Sequence, residues 1–277
     1  MKLSVILPAS NEAEYIGSCL QALLASEPVA GGAEVIVVAN GCRDATADVA
    51  RSFAPAAGTA GWGLRVLERA EGGKTAALTS GDGLALGEIR AYLDADVCVS
   101  PPLMAALTRA LAGRSGAAYG SGQAVLPPAK SMLSRAYGRF WQSLPFNRDT
   151  TAPGYGLFAV NEAGRARWGA FPQIISDDTF VRLSFAPPER LSVPYSYTWP
   201  LAEGFARLVR VRRRQNQGVA EIAALYPHLL ANSDHPRLSA GGLAALALRE
   251  PTGFLAYGLV ALAVRLGRAE RGWTRGR

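Results

Sequence analysis

Short apolar runs recur through the first third of the chain at intervals that suit the strands of one sheet. They cover residues 3–7, 34–39, 64–68 and 89–93, and the second run, Glu-Val-Ile-Val-Val-Ala, is almost uninterrupted. A nearly continuous apolar run of this length is typical of a strand that is buried on both faces of a parallel sheet. We therefore expect four central strands.

Segments with a helical period separate these runs. The predicted helices cover residues 12–25, 44–53 and 74–86, and a loop rich in Gly, Ala and Pro covers residues 55–63. Alternation of strands and helices predicts βαβ units with right-handed crossovers, and therefore an α/β fold. A glycine-flanked run at 154–160 predicts a further strand, which either lies near an acceptor or is an ordinary core strand.

Each of the four predicted strands is followed by a cluster of polar residues. Ligands of open α/β sheets bind beyond the carboxyl ends of the strands, so we expect the clusters to share one rim. The clusters are Pro8-Ala9-Ser10-Asn11-Glu12, Asn40-Gly41-Cys42-Arg43-Asp44, Gly72-Gly73-Lys74 and Asp94-Ala95-Asp96. Their common position predicts a ligand site.

The last cluster places two carboxylates, Asp94 and Asp96, one residue apart behind a strand. Carboxylates are ligands that hard divalent cations prefer, and such a cation with open positions grips a diphosphate. An Asp-x-Asp triplet alone is common, and a solvated strand end explains it equally well. Together with the other three clusters, it predicts a site for Mg²⁺ or Mn²⁺ in a nucleotide-dependent transferase.

The positive charge of the chain is concentrated near its C-terminus. The formal net charge is +7, and from Leu201 onward twelve arginines face only five acidic residues. A basic segment suits nucleic acid, anionic lipid or a phosphorylated substrate. Its arginines are not interleaved with aromatic residues on which bases stack, so we expect no nucleic-acid partner.

Cysteine usage and the first residues bear on localisation. The three cysteines lie far apart and form no Cys-x-x-Cys pair, which fits a reducing compartment better than a disulfide framework. The apolar run at residues 3–7 is too short for the core of a signal peptide. We therefore expect a cytoplasmic protein.

The C-terminal residues differ in character from the rest. We divide the chain into an α/β domain at residues 1–235 and a basic, apolar helical tail at residues 236–277. Residues 253–266 are apolar except for Arg265, and a helix of this length rises about 21 Å, less than the roughly 30 Å of a hydrocarbon core. We expect an interfacial helix at the cytoplasmic face of the membrane; a helix docked on the domain is the alternative.

These motifs, taken together, resemble those of the family 2 glycosyltransferases of the GT-A fold, from Leu3 to about Gly218. The first polar cluster resembles that family's Pro-x-x-Asn-Glu turn, and residues 37–46 resemble its second turn. Residues 73–78 resemble its Gly-Lys-x-x-Ala-Leu segment, and residues 94–96 its metal motif. The resemblance implies a Rossmann-like, mostly parallel sheet with flanking helices, to which the helical tail is added.

The resemblance also implies roles for individual residues in binding a nucleotide-diphosphate sugar. Asp96, helped by Asp94, is the expected ligand of the divalent cation. Asn40 stands where the family usually has an aspartate that contacts the base, which leaves the identity of the nucleotide open. The residues expected to line the donor site are Pro8, Ala9, Asn11, Glu12, Asn40, Asp44, Lys74, Asp94, Arg213 and Arg214.

The catalytic base is expected in the second half of the chain. Residues 175–181 resemble the family's Glu-Asp motif at a helix start, with Asp177 in place of the glutamate. The resemblance assigns the base of an inverting displacement to Asp178. Two adjacent acids suggest a division of labour, in which Asp177 either orients the base or caps the helix. Because a sugar hydroxyl is a poor nucleophile, a carboxylate must take its proton. The alternative is that both acids only complement the N-terminus of a helix.

The segment Arg210-Val211-Arg212-Arg213-Arg214 lies where relatives carry arginines that close over the diphosphate. A solvated helix face is the alternative. The Gln-x-x-Arg-Trp sequence typical of processive synthases is absent, so we expect non-processive transfer to a hydroxyl acceptor, which is a glycan or a lipid-linked precursor of envelope polysaccharide or glycolipid. The rival functions are a sugar nucleotidyltransferase and a non-catalytic relative that binds nucleotide sugar.

Overall fold

The computed structural model of the protein describes residues 1–234, 236 and 238–267. Its first four strands carry the expected apolar runs. They are β1 (Leu3–Ala9), β2 (Ala33–Asn40), β3 (Trp62–Arg69) and β4 (Ile89–Leu93). All pair in parallel, in the order β3-β2-β1-β4, and every residue of β2 is buried. The four polar clusters therefore lie at one edge of the sheet.

Helices pack on both faces of this sheet. On one face lie α1 (Ile16–Leu24), α2 (Thr46–Ser52), α3 (Ala54–Thr59) and α5 (Leu103–Ala112), while α4 (Lys74–Leu84) lies on the other. Neighbouring residues of β1 point to opposite faces, because side chains alternate along a strand. The prediction of a loop over residues 55–63 was wrong in its first half, where α3 begins behind Phe53 with Pro55 in its first turn.

The chain after β4 extends the sheet with three antiparallel pairs and one parallel pair. Its strands are β5 (Cys98–Val99), β6 (Tyr119–Val125), β7 (Leu157–Asn161) and β8 (Arg190–Thr198). The sheet order is β3-β2-β1-β4-β7-β6-β8-β5, with β7 antiparallel to both β4 and β6, and with β6 parallel to β8. The predicted α/β class and mostly parallel sheet are confirmed, and the glycine-flanked run forms β7.

Several helices follow or interrupt these strands. They are α6 (Met132–Ser143), α7 (Pro145–Arg148), α8 (Glu162–Arg165), α9 (Asp177–Leu183), α10 (Phe205–Leu225), α11 (Ala240–Arg249) and α12 (Pro251–Leu266), with 3₁₀ turns at Pro187–Glu189 and Pro227–Asn232. The helix α9 carries the expected catalytic acids, and α10 carries the arginine segment.

The predicted C-terminal tail packs on the rest of the protein. One face of α12 contributes Ala256 and Val260 to a hydrophobic cluster that also contains Tyr137 and Phe140 of α6 and Leu208 of α10. None of the described helices is long and apolar enough to cross a bilayer. The basic end of the predicted tail, residues 268–277, and the positions 235 and 237 lie outside the described residues. The division of the chain at residue 236 stays a prediction.

Candidate active site

A pocket opens at the carboxyl ends of β1 and β4. Its floor is charged, with Lys74 and Asp94 from the sheet rim and Asp177 and Asp178 from the start of α9, and Pro8 stands at its edge. The remaining walls are formed by Leu78, Tyr92, Leu93, Gly154, Gly156 and Phe158. The structure thus brings five of the predicted site residues into one pocket, although the two acids of α9 lie far from the others in sequence.

Side chains of the first two polar clusters join their turns to each other. The carboxamide oxygen Oδ1 of Asn11 accepts a hydrogen bond from the backbone N–H of Arg43 at 2.6 Å. Asp44 accepts from the N–H of Ala13 at 3.2 Å, and the N–H of Glu12 donates to the Thr46 hydroxyl at 2.8 Å. These bonds fix the conformation of the rim that is expected to receive the base and ribose.

Asn40 connects three of the four turns. It is buried; its Nδ2 donates to the carbonyl oxygens of Ala9 at 2.8 Å and Val38 at 3.3 Å, and its Oδ1 accepts from the N–H of Gly73 at 2.9 Å. The next residue, Gly41, has φ of +56°, and a Cβ there would lie 2.7 Å from the nitrogen of Gly72. Both ends of the Asn40 side chain are therefore occupied within the protein, and its contact with a base stays a prediction.

Lys74 connects the sheet rim to α9. Its Nζ lies 3.0 Å from Oδ1 of Asp94 and 3.2 Å from Oδ2 of Asp177. Burial alone would lower the pKa of Lys74, but the carboxylates of Asp177, Asp94 and Asp178 outweigh burial and raise this pKa above its usual value. Lys74 is therefore an ammonium group at neutral pH.

The two acids of α9 have different surroundings. Asp177 is buried, and burial raises its pKa above the usual value in spite of the attraction of Lys74. Asp178 is half-buried and faces the pocket, and its Oδ1 accepts from the backbone N–H of Thr179 at 2.7 Å. The arrangement leaves Asp177 committed to Lys74 while Asp178 is open to a ligand in the pocket.

Buried polar contacts fix α9 from behind. Arg182 of α9 donates from Nε to the carbonyl of Ala152 at 3.2 Å, and its Nη2 lies 2.7 Å from the Asp234 carboxylate. Arg190 of β8 contacts the same carboxylate at 2.8 Å. Opposing charges held this deeply resist displacement, so the position of α9 relative to the strands is well defined.

A sequence model of the family described as Glycosyl transferase family 2 matches residues 4–152, more than half of the chain. The chain belongs to glycosyl transferase family 2. It is also 40% identical over 95 residues to the glycosyltransferase AglE of Haloferax volcanii. That match covers 34% of this chain and 30% of AglE, so the chain spans less than a third of that relative.

Solved structures show the same fold at low sequence identity. The mannosyltransferase PcManGT from Pyrobaculum calidifontis, in complex with GDP-Man and Mn²⁺, is 21% identical, with a TM-score of 0.60 over 97% of this chain and 76% of PcManGT. S. aureus TarS 1–349 in complex with UDP is 15% identical, with a TM-score of 0.55 over 100% of this chain and 95% of TarS. This family 2 glycosyltransferase therefore adopts the GT-A fold, as expected.

In this family 2 glycosyltransferase, Asp94 and Asp96 can hold a divalent cation only if a bound ligand supplies further coordinating atoms. Asp94 and Asp96 are half-buried on the turn behind β4, and the N–H of Asp94 donates to the carbonyl of Gly156 at 2.8 Å. Within residues 1–234, 236 and 238–267, no three His, Cys, Asp or Glu side chains are grouped closely enough to hold a metal ion alone. Two carboxylates completed by diphosphate oxygens and water are a usual set for Mg²⁺.

In the structure Arg213 contacts the C-terminal helix, and its contact with the donor stays a prediction. Its Nη2 donates to the carbonyl of Ala263 in α12 at 3.2 Å and packs against Gly267, so this side chain holds the C-terminal helix and is not among the residues that line the pocket. Arg212 likewise binds the hydroxyl groups of Tyr137 and Tyr257. The physical reason is that α12 offers acceptors beside α10. A donor contact of Arg214 stays a prediction.

Two features of this site were missed by sequence reasoning. Tyr92 and Phe158 stack with ring centroids 4.8 Å apart and form an aromatic wall of the pocket. Asp234, which pairs with two buried arginines behind α9, carried no signal, because it lies in a polar segment without a motif. In β4, Tyr92 shares a strand face with Arg90, so the alternation does not predict its burial, and only the tertiary structure shows that it lines the pocket.

Proposed function

We propose that the protein transfers a sugar from a nucleotide-diphosphate donor to a hydroxyl acceptor with inversion at the anomeric carbon. The observation that carries this proposal is the pocket in which Lys74, Asp94, Asp177 and Asp178 meet at the carboxyl ends of β1 and β4. A cation site for a diphosphate and a carboxylate that is open to an acceptor are the two groups that such a transfer requires.

The donor is expected to lie along the rim formed by the first three turns. Pro8, Ala9, Asn11 and Glu12 would face the nucleoside, and Lys74 would approach the diphosphate. The two solved structures were determined with GDP-Man and with UDP, so likeness of fold supports a nucleotide-sugar donor without selecting its base. Asn40 and Asp44 support this rim through the hydrogen bonds between the turns.

Asp94 and Asp96 would hold Mg²⁺ or Mn²⁺. When bound, the cation supplies positive charge that stabilises the departing diphosphate. Lys74 lies 3.0 Å from Asp94 and adds a second positive charge on the same side of the pocket. Its ammonium group would contact the diphosphate, while Asp94 and Asp96 face the cation.

Asp178 would act as the general base. As the acceptor oxygen forms its bond to the anomeric carbon, the bond from that carbon to the diphosphate breaks and Asp178 takes the hydroxyl proton. Asp177, held by Lys74, positions the start of α9 and is expected to remain outside this proton transfer. Attack from the face opposite the leaving group inverts the anomeric configuration.

We further propose that transfer is non-processive and that the acceptor is a glycan or a lipid-linked precursor of envelope polysaccharide or glycolipid. The basic, apolar C-terminal residues support work at the cytoplasmic face of the membrane.

The test is incubation with a panel of labelled nucleotide sugars and Mn²⁺, followed by measurement of the released nucleoside diphosphate. Asp178→Asn keeps an oxygen that can accept from the N–H of Thr179, so the helix start is preserved while the base is removed. We expect a loss of about 10²–10⁴ in transfer rate, with donor binding nearly unchanged. Asp48→Asn, an exposed acid at the start of α2, is the matched control and should transfer normally.

Near-normal turnover by Asp178→Asn would show that the base assignment is wrong. Formation or consumption of pyrophosphate, in place of nucleoside diphosphate, would indicate a sugar nucleotidyltransferase. Donor binding without any release would indicate a non-catalytic relative.

A further inference from the structure

The helix α12 has two apolar faces, and only one of them is packed against the protein. Gly253, Ala256 and Val260 are buried against α6 and α10. The opposite face carries four leucines at helical spacing, and their exposed fractions lie between 52% and 78%. They are Leu255, Leu259, Leu262 and Leu266, and we call them the leucine face. Large apolar side chains grouped in this way mark an interaction surface.

The docking of α12 prevents the leucine face from turning inward. A Cβ at Gly253 would lie 2.8 Å from the carbonyl oxygen of Ala136, so the two backbones are in close contact. Further along, the rings of Tyr257 and Tyr137 stack with centroids 5.3 Å apart, and the Arg212 guanidinium lies 4.8 Å from the centroid of the Tyr257 ring. Rotation of the helix about its axis would break all these contacts.

The charges around the leucine face are complementary to an anionic surface. Arg249 at the end of α11 and Arg265 in α12 are both exposed. In the sequence from residue 238 to residue 267, the one carboxylate is Glu250, and it is paired with Arg139 of α6 at 3.5 Å. The basic groups beside the leucines therefore face solvent without nearby acids of the same segment.

The length of α12 suits a helix that lies on a bilayer. Its 16 residues rise about 24 Å, less than the roughly 30 Å of the hydrocarbon core. A helix with one apolar face and arginines beside it binds with its axis in the plane of the interface. A second protein copy would bury the leucines but would leave the surplus positive charge of both copies unmatched.

We propose that the leucine face of α12, with Arg249 and Arg265, docks the protein on a bilayer that contains anionic lipids. The hydrophobic cluster beneath α12 also includes Trp199, whose ring contacts Gly156 in the pocket. The docked face and the pocket are thereby joined by one packed cluster. Docking itself does not depend on the proposed function. Only its role, which is access to a lipid-linked acceptor, rests on that function.

The test is co-sedimentation of the full chain with vesicles of phosphatidylcholine alone or with added phosphatidylglycerol. The wild-type protein should sediment with the anionic vesicles. In Leu255→Gln/Leu259→Gln the ratio of bound to free protein should fall at least about tenfold, because two apolar side chains no longer enter the interface. In Arg249→Gln/Arg265→Gln the loss should be confined to anionic vesicles, at about fivefold for each arginine.

Leu86→Gln/Leu225→Gln is the matched control, since these two leucines are also solvent-exposed, at 62% and 58%, and lie away from α12. It should bind vesicles as the wild type does. Thermal melts of all variants should agree within a few degrees, because exposed substitutions change stability little. Unchanged binding of Leu255→Gln/Leu259→Gln, or failure of the wild type to bind anionic vesicles, overturns the proposal.

Light scattering of the same samples tests whether a second copy of the chain, in place of a bilayer, covers the leucine face. A wild-type dimer that Leu255→Gln/Leu259→Gln dissociates, together with no vesicle binding, would make the leucine face an interface between copies and overturn the proposal. Release of nucleoside diphosphate from the donor panel is measured without vesicles, so a failure of the proposed function is seen separately from a failure of docking.

Discussion

Removal of the Lys74 ammonium group should destabilise the fold as well as the site. Lys74 lies 3.0 Å from Asp94 and 3.2 Å from Asp177, and the side chains of these three residues are 36%, 32% and 4% exposed, respectively. Lys74→Met retains an unbranched apolar stem of similar length. The substitution therefore leaves the packing largely intact and leaves Asp177 as a buried carboxylate without its counter-ion.

The expected decrease in the free energy of unfolding follows from these exposed fractions. Removing one partner of a fully buried ion pair costs about 3–5 kcal/mol. Because Lys74 and Asp94 are each about a third open to water, solvent screens part of this interaction, and we expect about 2–3 kcal/mol. For a chain of this size, that corresponds to a decrease in Tm of roughly 4–12 °C.

The loss of stability caused by Lys74→Met should depend on pH. Burial raises the pKa of Asp177 while Lys74 lowers it, so without Lys74 this pKa rises further. The folded state then keeps a proton on Asp177 at pH values where the unfolded chain, with a pKa of about 3.9, has released it. Stability therefore falls as the pH rises from about 4 through the folded-state pKa, and the deficit of Lys74→Met should be larger at about pH 8 than at about pH 5.

Urea unfolding in EDTA at both pH values measures this effect on the metal-free protein. Lys74→Met/Asp177→Asn, which also removes the unpaired charge, should recover part of the loss. Lys2→Met, which removes an exposed pair with Glu88, should leave the urea midpoint nearly unchanged. The reasoning is refuted if Lys74→Met unfolds at the wild-type midpoint at the higher pH, or if the double substitution is less stable than the single one.

Three further outcomes are expected. Asp96→Ala should weaken Mn²⁺-dependent donor binding, and an unaltered calorimetric titration would refute its role as a ligand. Asn40→Asp places carboxylate oxygens against two buried backbone carbonyls, so unfolding should require about 1–3 kcal/mol less, and an unchanged urea midpoint would contradict this. Arg212→Gln removes the bonds to two tyrosines, so amide exchange should accelerate in α12, and equal exchange rates would show that packing alone holds the helix.

The parallel half of the sheet could be predicted because three of its strands, β1, β2 and β4, are mostly buried. Each residue of β2 is buried, and apart from Glu34 the strand is apolar up to Asn40, its last residue, where the polar cluster begins. The shared rim then followed from parallel pairing alone. In contrast, β6 contains two glycines and an exposed end, and β8 carries Pro194 and alternates irregularly between buried and exposed positions. Neither strand has a pattern that separates it from a loop.

The arginines of α10 have contacts that sequence reasoning could not predict, for a different reason. A guanidinium group binds a phosphate, a backbone carbonyl or a tyrosine hydroxyl with the same donors. Arg213 and Arg212 bind α12, about fifty residues downstream, and Arg212 also binds Tyr137 of α6. No spacing within the arginine segment encodes these contacts. The basic charge of the C-terminal quarter is therefore divided between holding α12 and facing solvent.

Asn40 and Lys74 hold the parts of the site together. Both belong to the predicted rim, yet their side chains connect the turns of that rim to each other and to α9. Since Asn40 binds the backbone of two neighbouring turns, the shape of the rim is set before any donor arrives, and little ordering entropy remains to be lost on binding. Lys74 instead has partners that a cation and a diphosphate would compete for. Under the proposed function, the ammonium group that pairs with Asp94 and Asp177 is thus the group whose contacts would change on donor binding.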